Sequence, residues 1–119
     1  MAHPFVHVEL STTDLDKAKA FNKSLFDWTL RDEEVAPGFF YTMIGVGEGT
    51  GGGMMQAPDT KSAWLPYVHV EDINAATARA KGLGATVCRE PTEVMDAGFF
   101  SVIMDPTGAT LGFWQPKAK

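Results

Sequence analysis

The chain repeats itself. Gly38-Phe39-Phe40 returns as Gly98-Phe99-Phe100 sixty residues later, and Gly53-Met54-Met55-Gln56 returns as Gly112-Phe113-Trp114-Gln115 fifty-nine later. The run Asp14-Leu15-Asp16-Lys17-Ala18 returns as Asp72-Ile73-Asn74-Ala75-Ala76 fifty-eight later. Three offsets within two residues, kept in order, point to duplication of one supersecondary unit. A fourth pair disagrees, because Phe5-Val6-His7-Val8-Glu9 matches Tyr67-Val68-His69-Val70-Glu71 at sixty-two. The helix offset is preferred, since alternating valines recur by chance in strands. It sets His7 opposite Leu65. The two alignments differ by four residues (62 − 58), an even number, so both leave the same side chains on the same face.

Each half reads as a strand, a helix and then several strands. Residues 5–10 alternate as a half-buried strand does, with Val6, Val8 and Leu10 on one side and Phe5, His7 and Glu9 on the other. Ser11-Thr12-Thr13-Asp14 is rich in N-cap residues, and a helix is predicted over about 14–25 with Leu15, Ala18, Phe21, Leu25 and Phe26 on its apolar stripe. A strand follows at 39–44, then a glycine-dense stretch from Gly45 to Gly53, read as a hairpin or bulged strand. It lacks the Gly-Lys-Ser/Thr ending and following helix of a phosphate loop. Residues 59–63 read as a linker.

The second half opens at 65–70, with Val68 and Val70 on one face and Leu65, Tyr67 and His69 on the other. Pro66 suits a strand start or free edge. Asp72 is placed to cap a helix with Ile73, Ala76, Ala80 and Leu83 on its stripe, stopped by Gly82 and Gly84. Strands are predicted at 85–89, 99–104 and 109–114. Asp105-Pro106-Thr107-Gly108 fits a type I turn before the last of them.

The chain has 119 residues, 45 % of them apolar, which suits one packed domain. Its net charge of −5 and lack of a Lys/Arg cluster argue against a nucleic-acid or anionic-membrane surface. One cysteine, Cys88, excludes an intrachain disulfide and fits a reducing, cytoplasmic setting. It is expected to be a buried structural thiol. No signal peptide and no bilayer-spanning run is read from the sequence.

A helix needs an apolar partner, so Val6, Val8, Leu10, Val68 and Val70 are expected beneath the helices. The opposite face then carries Phe5, His7, Glu9, Leu65, Tyr67 and His69. A mixed apolar and polar face away from the helices suits a ligand cleft, and equally a face packed on another chain.

Two strand-helix-strand-strand-strand units in this length resemble the vicinal oxygen chelate superfamily, which includes glyoxalase I, the bleomycin resistance proteins and the extradiol dioxygenases. The residues that carry the resemblance are the opening strand with His7, Asp14-Leu15-Asp16-Lys17-Ala18 before Phe21, Val70-Glu71-Asp72-Ile73-Asn74-Ala75-Ala76, and Asp105-Pro106-Thr107-Gly108. The resemblance implies an α+β fold of two tandem βαβββ modules, about 1–58 and 64–119, forming one cupped mixed sheet with helices outside. It also implies a homodimer. Metal-using relatives place one ligand on the first and last strand of each module. Carried over, those positions are His7, Gly53, Leu65 and Gly112, and only His7 has a donor. No cofactor is therefore expected, with a shifted divalent site from His7, Glu9 and His69 left open.

His7 and His69 are the side chains best suited to titrate near neutral pH. Glu9 in an apolar cleft would resist ionisation and serve as acid or base, while at the rim it would be a solvated carboxylate. Catalysis, if any, is expected from His7 and Glu9. Tyr67 and Trp114 offer flat contact to a ring or acyl group, with Met55 as adaptable filler and Gly53 and Gly112 leaving room. Core or dimer packing is the plainer role for the aromatic residues.

Two readings follow. One is a metal-independent binder of a small, partly aromatic or apolar ligand, without nucleic-acid or membrane partners. The other is a divergent lyase, isomerase or dioxygenase using His7 and Glu9. A blander third is a partner-binding subunit whose cleft is filled by its own side chains.

Overall fold

The computed structural model describes residues 2–57 and 61–117. Residues 58–60, part of the expected linker, lie outside the described residues. The elements run β1 (Phe5–Thr12), α1 (Leu15–Phe26), β2 (Thr29–Ala36), β3 (Phe39–Gly45), β4 (Gly52–Gln56), β5 (Ala63–His69), α2 (Ile73–Gly82), β6 (Thr86–Val94), β7 (Gly98–Met104) and β8 (Thr110–Pro116). This is the expected α+β pattern, βαβββ twice over. The chain forms two compact units, residues 7–65 and residues 1–6 with 66–119.

In the first unit the strand order is β2-β3-β4-β1, and in the second it is β5-β8-β7-β6. Written from the outer strand inward, the second order is the first again. In each unit the opening strand runs parallel to the last, and the other pairs are antiparallel. The register settles which repeat offset is right. Glu9 pairs with Gly53 and Tyr67 pairs with Gly112. Glu9 therefore corresponds to Tyr67 and His7 to Leu65, as the helix offset requires.

The helix starts are built alike. Asp14 accepts from the Lys17 amide and Asp72 from the Ala75 amide, satisfying donors that a helix start leaves without partners. A glutamine on the last strand of each module adds a second tie. Gln56 Oε1 accepts from the Leu15 amide and Gln115 Oε1 from the Ile73 amide, both at 2.8 Å. The repeated glutamine noticed in the sequence thus pins each helix to its own sheet.

In the first unit, Leu10, Ile44 and Met54 form the core against Leu15, Ala18, Trp28 and Leu30. Met54 is fully buried, so it fills the core and does not line an open face. In the second, Val70, Ile73 and Ile103 are buried, and Thr77 of α2 bonds Ser101 of β7 at 2.9 Å.

Several expectations are corrected. On α1 the inward stripe is Leu15, Ala18, Lys19 and Asn22, while Phe21 and Leu25 are 64 % and 57 % exposed and Phe26 is also exposed. Leu15 and Ala18 pack on the core of Leu10, Ile44 and Met54, which leaves Phe21 and Leu25 on the outer side of the helix. Beside them Lys19 Nζ reaches Asp32 on β2 at 3.2 Å, and the Thr42 hydroxyl donates to the same carboxylate at 2.6 Å. On α2, Thr77 is buried and Leu83 exposed. β2, with its Arg31-Asp32-Glu33-Glu34 run, is a strand that polarity concealed. Pro66 lies inside β5, not at its start. Cys88 is exposed, not buried. Val87 beside it pairs with the buried Ile103, so alternation turns Cys88 to the other side, at the register slip between Val87 and Arg89.

Candidate functional site

Strand alternation gives each sheet a face away from its helix. In the first unit, Leu10, Met54, Thr42 and Ile44 point toward α1, which leaves His7, Glu9, Tyr41, Met43, Gly53 and Met55 on the open face. Three of these join in one network. His7 Nε2 lies 2.7 Å from the Tyr41 hydroxyl, and that hydroxyl donates to Glu9 Oε1 at 3.0 Å. A phenol has one proton to give. Because it goes to Glu9, the His7 contact must be an Nε2–H donating to the phenol oxygen. Burial pushes the His7 imidazole below its ordinary value, which keeps the ring neutral at pH 7 and agrees with that tautomer.

Gly53 makes the network possible. Tyr41 is on β3 and its partners are on β1, with β4 between. Two strand spacings are about 10 Å, so the ring must lie across the middle strand. It does so at Gly53, where a Cβ would stand 2.0 Å from the ring. Any other residue there would push the phenol away from Glu9 and His7.

The second unit has the same glycine and a different tyrosine. A Cβ on Gly112 would stand 2.4 Å from the Tyr67 ring, which comes from β5 and is 4 % exposed. Tyr67 then meets Phe100 edge-on, 6.4 Å between centroids, and the Arg89 guanidinium lies 5.4 Å from the Phe100 centroid. Trp114 is the strand partner of Phe100 and His69, and its ring overlies Gly98. Backbone groups of His69 hold the N-terminal segment. Its amide donates to Pro4 O, and its carbonyl takes a 3.0 Å contact from the His3 ring.

The residues expected to line a site therefore fall into two groups. His7, Glu9, Gly53, Met55 and Leu65 are in the first unit, and Phe5, Tyr67, His69, Gly112 and Trp114 are in the second. Within the first, His7 and Glu9 are joined through a residue that was not singled out, Tyr41. Its alternation with Met43 placed it on the open face, but nothing in the sequence said that it crosses β4. Within the second, Tyr67 and Gly112 are packed together, and Phe100 and Arg89 extend the group.

The residues at the four positions carried over from metal-using relatives do not make a divalent site. His7 alone has a donor, and phenol rings cover Gly53 and Gly112. Among the described residues, no group of three or more His, Cys, Asp or Glu is placed to hold a metal ion. No helix among them is long and apolar enough to cross a membrane.

Comparison with known proteins agrees with this architecture. CFP32, a proposed glyoxylase of Mycobacterium tuberculosis and Mycobacterium bovis, is 33 % identical over 110 residues. That match covers 91 % of this chain and 42 % of the relative, so the chain spans less than half the length of the curated relatives it matches. Among solved structures, a hypothetical protein of Bacillus halodurans superposes with a TM-score of 0.78 at 13 % identity, covering 100 % of this chain and 98 % of that one. Methylmalonyl-CoA epimerase of Mycobacterium tuberculosis superposes with a TM-score of 0.73 at 18 % identity, covering 96 % and 88 %. These low identities speak for the fold alone. The model of the glyoxalase-like domain matches residues 7–113, and the chain belongs to that family.

Proposed function

We propose that this chain binds a small carbonyl-bearing ligand with an aromatic or apolar body, meeting its polar end with the His7–Tyr41–Glu9 network and using no divalent metal. The observation that carries this reading is the network itself. It gathers a donor, a shared hydroxyl and a carboxylate on an open sheet face. Met43 and Met55 on the same face supply adaptable apolar contact. The donor set supports the metal-free reading. Homodimerisation belongs to the same proposal, supported by the outward Phe21, Leu25 and Phe26 of α1.

In this arrangement the neutral His7 and the phenol hold one line of protons directed at Glu9. A ligand carbonyl arriving at Tyr41 competes with Glu9 for the hydroxyl proton, so binding is coupled to the charge on the carboxylate. Titrating the purified protein with aromatic ketones and 2-oxo acids, followed by backbone NMR, tests the reading. Saturable shifts centred on His7, Glu9 and Tyr41, weakened about tenfold in Tyr41→Phe, are expected for a hydrogen bond to a polar ligand. No saturable binding across the panel overturns it.

The network also favours a second reading, proton transfer at the carbon beside a ligand carbonyl. Glu9 would take the proton, and Tyr41 would steady the charge on oxygen. The epimerases of the same fold and the proposed glyoxylase relatives lend it context. Exchange of the ligand's α-hydrogen for deuterium, followed by proton NMR, tests it. Exchange that Glu9→Gln leaves intact sinks it.

A further inference from the structure

The strongest unexplained side chain outside the His7–Tyr41–Glu9 network is Arg89. It lies on β6 opposite Val102 of β7. Ser101 and Ile103 of β7 are buried toward α2, so Phe100 and Val102 face the open side. Arg89 is there with them, its guanidinium over the Phe100 ring.

Two contacts hold it in place. The ring below sets the guanidinium plane. Its Nε donates to Thr92 Oγ1 at 3.2 Å, and that hydroxyl donates onward to Glu90 O at 2.8 Å. With Nε engaged by Thr92, the two terminal nitrogens are the donors left for a planar anion. A pre-set fork of this kind loses little freedom when it takes a planar anion.

Three other cations, on α1, on β2 and just after β8, are engaged by carboxylates. Lys19 pairs with Asp32, Arg31 with Glu33 and Lys117 with Glu93. Arg89 is in no ion pair among the described residues. Of the two arginines on described strands, Arg31 is paired and Arg89 is not. Beside it, Phe100 and Trp114 are strand partners and Tyr67 meets Phe100 edge-on. The second unit thus sets one anion receptor at the end of a run of flat aromatic surface.

We propose that Arg89 is the anion-binding residue of a subsite on the open face of the second unit. The subsite takes the carboxylate of a small aromatic acid, whose ring lies along Phe100 and Trp114. This rests on the reading above only in taking the chain to bind small ligands, and the subsite itself lies within the second unit.

The test compares naphthalene-2-carboxylate with its neutral analogue, naphthalene-2-carboxamide, on the full chain. NMR shifts of the Trp114 indole N–H and the Arg89 Nε–H locate the binding. The acid is expected to bind about tenfold tighter than the amide, as suits one charge-assisted fork at an exposed site. Arg89→Gln should bring the acid down to the affinity of the amide and leave the amide unchanged. Arg89→Lys should keep part of the preference, because it keeps the charge and loses the fork. Arg79→Gln removes the same charge from exposed α2 and should leave the preference intact.

A preference that survives Arg89→Gln, or falls equally in Arg79→Gln, overturns the subsite. Equal binding of acid and amide to the parent chain overturns the subsite and leaves the ligand-binding reading standing. If neither compound nor any of the aromatic ketones and 2-oxo acids binds, both fall.

Discussion

The two modules share strand order, register, helix caps and a glycine at the same place on the last strand, yet they spend that glycine differently. In the first unit the space over Gly53 is taken by Tyr41, which comes from β3 and reaches inward to His7 and Glu9 on β1. In the second, the space over Gly112 is taken by Tyr67, which comes from β5 and leans outward to Phe100. Glu9 and Tyr67 are themselves corresponding residues. His7 and Tyr41 likewise correspond to Leu65 and Phe100, so a hydrogen-bonded corner in one unit answers to an aromatic one in the other. Duplication supplied two copies of a scaffold, and three side chains per copy decided the character of each face away from its helix.

The largest expected effect separates the modules at their last strands. A Cβ on Gly52 would stand 1.9 Å from the Val8 carbonyl oxygen, and backbone cannot move aside as a side chain can. Gly52→Ala should cost about 3 kcal/mol or more, near the upper end for overpacking. Its counterpart in the second module is Leu111, where Leu111→Ala should cost less, about 1–2 kcal/mol for a half-buried side chain. Urea denaturation of both variants checks the ranking, and equal costs would break the claim that β4 packs more tightly on β1.

Next come the two glycines under the rings. Gly53→Ala and Gly112→Ala should each destabilise by about 1–3 kcal/mol through a displaced ring. Removing the hydroxyl from each ring then tests what the ring does there. Tyr41→Phe should cost about 1–2 kcal/mol for two polar contacts in the parent chain and much less on the Gly53→Ala background, where the network is already broken. Tyr67→Phe on the Gly112→Ala background is the matching cycle within the second unit. Double-mutant cycles in urea read both comparisons.

A smaller effect is expected in pH dependence. The folded-state value of His7 lies below its ordinary value of about 6.5, so the unfolded chain binds its proton first as pH falls. Stability from the neutral ring is complete above about pH 6.5 and is lost as pH drops below that toward the folded-state value. His7→Gln should flatten the Tm profile between about pH 7.5 and pH 5.5. Leu65→Gln, at the corresponding position, should leave the profile's shape intact.

The smallest effect concerns the helices. Phe21→Ser and Leu25→Ser on the exposed face of α1 should change monomer stability by no more than about 0.5 kcal/mol. Sedimentation should show loss of self-association if that face joins two copies. Association that survives both changes removes this face from the dimer proposal.

Much of the fold was legible because it follows from local periodicity. The caps at Asp14 and Asp72, the turn at Asp105–Gly108 and the alternation of β1 and β5 all depend on neighbours a few residues apart. The face carrying His7 and Glu9 was legible for the same reason. The inward place of Lys19 on α1 is not legible locally, because its partner Asp32 comes from a strand later in the chain, and Asn22 is buried by bonding its own helix at Ala18 O. The burial expected of Cys88 follows only from the general habit of free cysteines, whereas its side is set by Val87 pairing with the buried Ile103.

Tyr41 shows the boundary most clearly. The sequence by itself determined that the chain is a duplicated βαβββ module, and that His7 and Glu9 point away from a helix. Only the tertiary structure decided that Tyr41 shares their face and joins them. Side-chain alternation is a property of the local backbone. The contact of Tyr41 with Glu9 needs β4 to lie between β3 and β1 with a glycine at the crossing, and strand order and register are set by long-range pairing across the sheet.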